Sequence, residues 1–268
     1  MGSEHRSVSK YPLLASFRGF FLACSVILFL NACEKEKKFP EGKVPGKLVL
    51  VCDDWNVDNW YSYLDSFEKY DMALTFYVSH FHTMSPEQKA KLLDLQDRGH
   101  EIAYHTLHHI PWNTNYTQKE IDDYLRVEID SGVALLRNEG LLINCFSFPG
   151  EVYDSAIFQH LKDRFAHVRT SHFGYFEYWK RRREFSLMPD KDQPFRSYAL
   201  DNASLFASDG NGEMILADLR AGTNVALLFH SLTYEKQPYT TNPADFFGLI
   251  KEVHDAGIPF STVSGFYR

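Results

Sequence analysis

The sequence has few cysteines and no excess of positive charge, and these two absences exclude several kinds of protein. Only 4 of the 268 residues are cysteine, which excludes a small domain built around disulfide bonds. The 28 lysines and arginines are outnumbered by 35 aspartates and glutamates, so the formal charge is −7. Nucleic-acid-binding proteins normally carry a basic surface. We therefore expect no nucleic-acid partner.

The composition also excludes an intrinsically disordered chain. Hydrophobic residues make up 44% of the sequence and aromatic residues 15%, which is enough to form a buried core. The length suits one large domain or two small ones. The 22 Phe, 15 Tyr and 4 Trp are interpreted mainly as core residues, but aromatic rings also stack on sugars.

An apolar run near the start of the chain is too short for a permanent membrane span. Residues 19–30 read GFFLACSVILFL and follow positively charged residues, whereas a transmembrane helix needs about 20 apolar residues. This pattern is typical of a signal peptide. The run ends in Leu30-Asn31-Ala32-Cys33, which resembles the lipobox of bacterial lipoproteins. The alternative is an ordinary signal peptide or a single-pass anchor that ends in cysteine.

The resemblance to a lipobox divides the chain into three parts. We expect residues 1–32 to be a cleaved signal peptide and Cys33 to carry a lipid at the new N-terminus. Residues 33–46 are rich in charge, proline and glycine, which is typical of a solvated tether. Residues 47–268 then form the folded domain. The protein is predicted to be exported, anchored by lipid to a membrane of the bacterial cell envelope, and monomeric.

Short apolar runs alternate with helical patterns along the folded part. The predicted strands cover residues 48–52, 73–78, 101–105, 144–148, 167–170, 225–229 and 259–263. The predicted helices run from Ser85 to Gly99, from Thr117 to Gly140 and from Asn242 to Gly257. This alternation predicts an α/β fold with a parallel sheet, either open or closed into a barrel. The stretch from Gly174 to Asn211 breaks the alternation and is predicted to be an insertion or a set of long loops.

Three of the predicted strands lead into ionisable residues that together suit a metal site. Asp53 and Asp54 follow the first strand. His105 ends the third strand, His109 follows it, and His230 follows the sixth. The carboxyl ends of parallel strands meet at one edge of a sheet or at one end of a barrel, which we call the mouth. Two imidazoles at i, i+4 spacing and one carboxylate form a zinc-type site with an open position for water.

These residue types also suit the hydrolysis of an amide or an ester. A bound divalent metal lowers the pKa of water and polarises a carbonyl, and a neighbouring carboxylate can accept the proton of that water. Asp53 and Asp54 can divide these two tasks if a turn between them aims both side chains into the mouth. His230 is suited to protonating the leaving group.

The order of these motifs resembles that of the polysaccharide deacetylases with a NodB homology domain, carbohydrate esterase family four. The most specific segment is residues 99–109, GHEIAYHTLHH, which is similar to the family's strand leading into His-Thr/Ser-x-x-His. The pair Asp53-Asp54, the segment Phe146–Gly150 and the segment Leu228–His230 match other motifs, and the similarity extends from about Lys47 to Val263. The resemblance implies a distorted (β/α) barrel that removes N- or O-linked acetyl groups from a carbohydrate polymer.

The resemblance implies a role for each matching residue of the first two motifs. Asp53 corresponds to the general base and Asp54 to the metal-binding aspartate. His105 and His109 correspond to the metal-binding histidines, and Thr106 braces their loop. The expected cofactor is a divalent metal, zinc first, with cobalt, nickel or manganese as alternatives.

The last motif of the family implies the acid and part of the acetyl pocket. His230 matches the general acid, and Leu228 matches the apolar residue that lines the pocket for the acetyl methyl group. In the family a carboxylate partners the acid histidine. Asp190, Asp192 and Asp201 are all candidates for that partner here.

The chain departs from the family at two motifs. The third motif usually reads Arg-Pro-Pro-Tyr-Gly, but residues 147–151 read SFPGE, so the arginine and the tyrosine are replaced. The backbone N–H of Gly150 remains able to stabilise an oxyanion, and Arg169 is predicted to replace the missing guanidinium, a surface salt bridge being the alternative. Trp55 stands where the family has glycine after the first motif, so the mouth is expected to be shaped differently.

Several residues and functions are left open by the sequence. His80 and His82 follow the second strand and are interpreted as ordinary polar loop residues, the alternative being that they face the mouth. Cys52 and Cys145 are interpreted as free buried thiols unless export allows a disulfide. Two other functions stay compatible with the sequence. One is a non-catalytic glycan-binding lipoprotein on the same barrel, and the other is a deacylase of a substrate that is not a sugar.

Overall fold

Parallel strands of the domain close into a barrel. The computed structural model describes residues 44–173, 194–201 and 211–267. Its strands include β1 (Leu48–Asp54), β2 (Leu74–Val78), β3 (Glu101–Tyr104), β4 (Cys145–Ser147), β5 (His167–Phe173), β6 (Phe195–Ala199) and β7 (Val225–Phe229). These strands pair in sequence order, all in parallel, and β7 pairs back with β1. The predicted α/β class and distorted (β/α) barrel are confirmed.

Helices connect the strands and cover the outside of the barrel. Two of the predicted helices begin with capping boxes, at Ser85 and Thr117. The helix predicted from Thr117 to Gly140 is not one regular helix, because a π-helical segment, Leu125–Ser131, interrupts it. The α-helices of the described residues are α1 (Val57–Ser62), α2 (Leu64–Lys69), α3 (Pro86–Asp97), α4 (Gln118–Tyr124), α5 (Gly132–Asn138), α6 (Ser155–Lys162), α7 (Asn211–Arg220), α8 (Pro243–Asp255) and α9 (Val263–Phe266).

Side chains of the strands alternate between two separate cores. Leu48 and Leu50 of β1 pack outward in the larger core beneath the helices. Val49 and Val51 belong to the smaller core inside the barrel. Both faces of a parallel strand are buried in such a fold, which explains the nearly continuous apolar runs. Asp53 continues the inward series of Val49 and Val51, so its carboxylate reaches the inside of the barrel at the mouth.

Within the described ranges, three short strands accompany the seven strands of the barrel. Beyond β7, β8 (Ser231–Leu232) and β9 (Thr240–Thr241) form a separate parallel pair. A further strand, β10 (Phe260–Ser261), pairs with the first two residues of β1, whereas β2 pairs with Leu50–Asp54. The strand predicted over residues 259–263 is therefore shorter than expected, because the chain turns into α9 at Val263.

The region predicted to form loops after β5 contains a strand of the barrel. The interpretation of residues 174–211 as loops is wrong for Phe195–Ala199, which forms β6 between β5 and β7. The neighbouring strands supply pairing that so short a segment does not signal by itself.

The predicted signal peptide, Cys33 and most of the tether lie outside the described residues. The described residues all belong to the compact unit Lys37–Arg268. No helix in the described ranges is long and apolar enough to cross a membrane.

Candidate active site

The predicted ionisable residues meet at the mouth of the barrel. His105 Nε2 lies 3.7 Å from Asp53 Oδ2 and 3.7 Å from Asp54 Oδ1. His109 Nε2 lies 3.1 Å from Asp54 Oδ1. His230 is near enough for the charges of both aspartates to affect its pKa. The carboxyl ends of β1, β3 and β7 therefore bring together all five residues selected from the sequence.

A change of backbone conformation at the end of β1 allows both aspartates to face the mouth. In a regular strand successive side chains point to opposite faces. Asp54 instead has a φ of 86°, a left-handed conformation that is unfavourable for a residue other than glycine. Its carbonyl accepts a hydrogen bond from Ser79 N at 2.9 Å, which helps to hold the turn.

Three side chains at the mouth have the arrangement of metal ligands. One ligand atom from each of Asp54, His105 and His109 lies within 4.8 Å of the other two. Asp54 Oδ1 is buried and accepts no well-aligned hydrogen bond from the described residues, although His109 Nε2 is 3.1 Å away. An oxygen and a nitrogen that converge without a good hydrogen bond fit a cation between them. Two imidazoles and a carboxylate suit Zn²⁺.

The protonation states at the triad also suit metal binding. His105 Nδ1 donates to the carbonyl of Ser147 at 2.9 Å, which leaves the lone pair of Nε2 facing the aspartates. Burial lowers the pKa of His105 to about 4, so the imidazole is neutral at pH 7. Burial of Asp54 opposes its charged form, but the nearby imidazoles of His109, His230 and His105 outweigh burial and lower its pKa.

Arg169 contacts Asp53 inside the barrel. Its Nη2 donates to Asp53 Oδ2 and, at 2.5 Å, to Ser147 Oγ, while Nη1 donates to Ser197 Oγ at 3.0 Å. The guanidinium carbon lies 5.0 Å from the ring centre of Tyr77, within cation–π range. Only 1% of the Arg169 surface is exposed, so the predicted alternative of a surface salt bridge is wrong. Asp53 Oδ1 is buried and has no hydrogen-bond partner in the described ranges.

Asp201 is the carboxylate beside His230. Asp201 Oδ2 accepts a hydrogen bond from His230 Nδ1 at 2.5 Å, and Oδ1 accepts one from His230 N at 3.1 Å. Burial disfavours the imidazolium, but Asp201, Asp53 and Asp54 outweigh it and raise the pKa of His230 to about 9. His230 therefore carries a proton at pH 7. The other two sequence candidates, Asp190 and Asp192, lie outside the described residues.

Thr106 and Leu228 are both buried, Thr106 just after β3 and Leu228 inside the barrel. The hydroxyl of Thr106 is buried without a hydrogen-bond partner among residues 44–173, 194–201 and 211–267. The predicted bracing of the loop by this side chain is therefore not seen there. Leu228 is fully buried in the core inside the barrel, two positions before His230.

Gly150 and Trp55 lie at the surface. Gly150 is exposed, with a φ of 61°, in a short 3₁₀ turn after β4. Trp55 is 44% exposed, and its ring packs edge-on against His80 and His109, with centroids 4.4 and 5.6 Å apart. His80, predicted to be an ordinary loop residue, therefore borders the mouth.

Sequence reasoning missed two residues at the mouth. Tyr239 is 62% exposed, with its ring centre 5.2 Å from that of His230. Glu128, in the π-helical segment, binds His108 next to the triad. Neither residue belongs to a recognisable motif, since only the folded chain brings them to the site. Cys52 and Cys145 are free and buried, which confirms the prediction for both.

Solved structures of several deacetylases share this fold. A chitin deacetylase from the fungal pathogen Colletotrichum lindemuthianum is 16% identical, with 83% of this chain and 87% of that chain covered and a TM-score of 0.56. The peptidoglycan deacetylase PdaC from Bacillus subtilis is 19% identical (83% and 90% covered, TM-score 0.53). A family 4 acetyl xylan esterase from Clostridium thermocellum, in complex with a cobalt ion, is 18% identical (82% and 90% covered, TM-score 0.52). The chain thus has the barrel of these proteins.

A family comparison gives a more specific result for part of the chain. Residues 41–163 match the family described as polysaccharide deacetylase. The matched part contains the triad and Asp53 and ends before Arg169 and His230. No curated protein sequence matches the chain.

Proposed function

We propose that the protein is a metal-dependent deacetylase that hydrolyses N- or O-linked acetyl groups of a carbohydrate polymer. The observation that carries the proposal is the triad of Asp54, His105 and His109 beside Asp53, with a protonated His230 close enough for both aspartates to affect its pKa. The family match over residues 41–163 and the shared barrel support it.

The residues of the mouth divide the work of hydrolysis. Asp54, His105 and His109 would hold a divalent metal, most suitably zinc, which supplies a Lewis acid and makes water more acidic when bound. Asp53 accepts a proton from the attacking water at Oδ1, because Oδ2 is occupied by Arg169. The water oxygen bonds to the acetyl carbon, the bond from that carbon to nitrogen or oxygen breaks, and acetate leaves.

His230 completes the reaction on the leaving group. Its Nδ1 donates to Asp201, so the second ring nitrogen, Nε2, is the one that can give its proton to the departing nitrogen or oxygen. We assign the oxyanion contact to the backbone N–H of Gly150 and the methyl contact to Leu228. Leu228 is supported by its place inside the barrel just before His230.

Two exposed aromatic rings support a carbohydrate substrate. Trp55 contacts His80 and His109, which follow β2 and β3, whereas Tyr239 contacts His230, which follows β7. Because β1 lies between β7 and β2 in the barrel, the two rings flank the carboxylates of β1 from two sides. Aromatic faces at these places can stack on sugar rings of one polymer chain.

Export and lipid anchoring at Cys33 complete the proposal. Their support is the lipobox-like sequence Leu30–Cys33 and the charged segment after it. Labelling of cells with a radioactive fatty acid should mark the wild-type protein. Cys33→Ser should remain unlabelled, and a labelled variant would contradict lipidation at Cys33.

The activity is tested by release of acetate from chitooligosaccharide, peptidoglycan and acetylxylan, with and without a chelator. We expect one of these polymers to be deacetylated, the chelator to abolish the reaction, and zinc to restore it. Asp53→Asn should lose the activity while keeping the bound metal. Acetate release that is unchanged by both the chelator and Asp53→Asn would overturn the proposal.

A non-catalytic glycan-binding protein is the second candidate. It is favoured by the third motif, in which residues 147–151 lack the family's arginine and tyrosine. Glycan binding without acetate release, and without stoichiometric metal in the purified protein, would support this candidate against the enzyme.

A further inference from the structure

The loop of residues 105–109 carries two of the three metal-triad residues in a conformation that needs support. Thr106 has a φ of 64° and His109 a φ of 56°. The left-handed region is unfavourable for side chains of this size, and such residues persist where surrounding contacts determine the conformation. The loop is held by β2 and the segment that follows it, because His105 N donates to Val78 O and His80 N donates to Leu107 O, each at 3.0 Å.

Glu128 also holds the loop, through three hydrogen bonds. The backbone carbonyl of Glu128 accepts a hydrogen bond from Leu107 N at 3.2 Å. Its carboxylate accepts from His108 N at 2.9 Å and from His108 Nδ1 at 2.6 Å. The backbone N–H groups of Leu107 and His108, the two residues before His109, therefore both donate to Glu128.

Glu128 is itself fixed in place. Only 4% of its surface is exposed, so its carboxylate depends on the partners in the loop. The hydroxyl of Tyr104, the residue before His105, also donates to the Glu128 carbonyl. A side chain at Gly132 would meet that hydroxyl, since a Cβ there would lie 1.7 Å from it. The glycine that follows the π-helical segment thus leaves room for the contact.

The π-helical segment is the local structure that presents Glu128. It spans Leu125–Ser131, between α4 and α5. A π turn has a wider hydrogen-bond spacing than an α-helix and is found frequently at functional sites. The segment changes the direction of the side chains relative to a continuous α-helix, and Glu128 is the charged residue in it that is buried.

We propose that Glu128 is a positioning residue for the metal triad, holding the loop 105–109 so that His105 and His109 converge with Asp54. The inference rests on the proposed metal site. Hydrogen bonds around metal ligands fix the orientation of those ligands, and their loss typically weakens metal binding about 10- to 100-fold.

The test compares Zn²⁺ affinity, by competition with a chromophoric chelator, in the wild type and three variants. Glu128→Ala removes the acceptor for His108 and should weaken Zn²⁺ binding about 10- to 100-fold. Glu128→Gln keeps an acceptor for His108 N and offers an amide N–H to His108 Nδ1, so it should bind Zn²⁺ almost as the wild type does. Asp130→Ala is the matched control, because Asp130 lies in the same segment but is exposed and pairs with Arg164 at 3.0 Å.

Hydrogen exchange of the metal-free proteins separates this inference from the metal site itself. The amides of Leu107 and His108 should exchange faster in Glu128→Ala than in the wild type, in Glu128→Gln or in Asp130→Ala. Glu128→Ala with wild-type Zn²⁺ affinity and wild-type amide protection would overturn the inference. A wild-type protein that binds no Zn²⁺ would instead overturn the proposed function, whatever the exchange rates. If Glu128→Ala does not fold, a wild-type-like Zn²⁺ affinity of Glu128→Gln supports the inference, and a complete loss of Zn²⁺ binding in that variant contradicts it.

Discussion

Arg169 of β5 and Asp53 of β1 meet across the interior of the barrel, although neither strand is a neighbour of the other. The pair is buried, and Ser147 and Ser197 take up other N–H groups of the guanidinium. Removing one member of a buried ion pair leaves an uncompensated charge, which is strongly destabilising. The contact therefore links the stability of the barrel to the geometry of the proposed base.

Arg169→Met should lower both stability and turnover. We expect a loss of about 3–5 kcal/mol in the free energy of unfolding, because Asp53 stays buried without its positive partner. Denaturant unfolding and kcat on the best polymer measure the two effects. Arg164→Met is the control, because an exposed ion pair contributes only about 0–1 kcal/mol. Arg169→Lys retains the charge and should fold better but turn over slowly, and wild-type kcat in both Arg169 variants would contradict a role in positioning Asp53.

Asp201→Asn should shift the alkaline limb of the pH–rate profile to lower pH. His230 acts as an acid only while protonated, so activity falls as pH rises through its pKa, which the protein raises to about 9. A bound divalent cation repels the imidazolium and moves the limb below that value. An asparagine at position 201 no longer stabilises the imidazolium, so the pKa of His230 falls. Thr241→Val, which removes only a hydroxyl 3.3 Å from Asp201, should leave the limb almost in place, and an identical limb in Asp201→Asn would argue against His230 as the acid.

Zn²⁺ should stabilise the metal-free protein against heat. A ligand that binds only the folded state at 100 times its Kd adds about 2.7 kcal/mol to the free energy of unfolding. Thermal melts of chelator-treated protein, with and without added Zn²⁺, measure the effect. His105→Ala loses one ligand and should show a much smaller rise in Tm. Equal rises in the two proteins would mean that Zn²⁺ binds somewhere other than the triad.

Tyr239→Ala should impair the use of polymers but not of a small soluble ester. A lost stack of about 1 kcal/mol, the size measured for aromatic pairs, corresponds to a rise of about fivefold in KM for the polymer. Tyr234 is a matched control, because it is 74% exposed and precedes β9 in the same loop. Tyr234→Ala should behave as the wild type, whereas equal effects of both variants on polymer and ester alike would contradict a stacking role for Tyr239.

The sequence was informative wherever a chemical role requires a fixed residue type at a fixed spacing. Asp53 and Asp54 after an apolar strand, and His105 and His109 at i, i+4, indicate a metal site before any fold is known, and the resemblance to the deacetylases assigns Asp53 as the base and Asp54 to the triad. The apolar runs likewise predict the buried parallel strands. The place of His230 at the end of such a run is a weak signal by itself, and its role as the acid is implied by the family resemblance.

The remaining contacts depend on the three-dimensional path of the chain and leave no local pattern. Asp201 was one of three candidate partners for His230, since only pairing of β6 with β7 brings it there. Glu128 reaches the site through a π turn, which no capping or periodicity rule predicts. The strand β6 was missed because its residues become a strand only when neighbours on both sides pair with them.

Because β7 closes the barrel against β1 and β10 then pairs with the start of β1, the sheet around β1 is completed late in synthesis. Leu48 and Val49 pair with Phe260 and Ser261, which are separated from them in the sequence by nearly the whole domain. A nascent chain that already contains Asp53, His105 and His109 therefore still lacks β7 and β10, the strands that pair with Leu48 and Val49. Contacts of such long sequence separation form slowly, so the proposed metal ligands leave the ribosome well before the barrel that must hold them together.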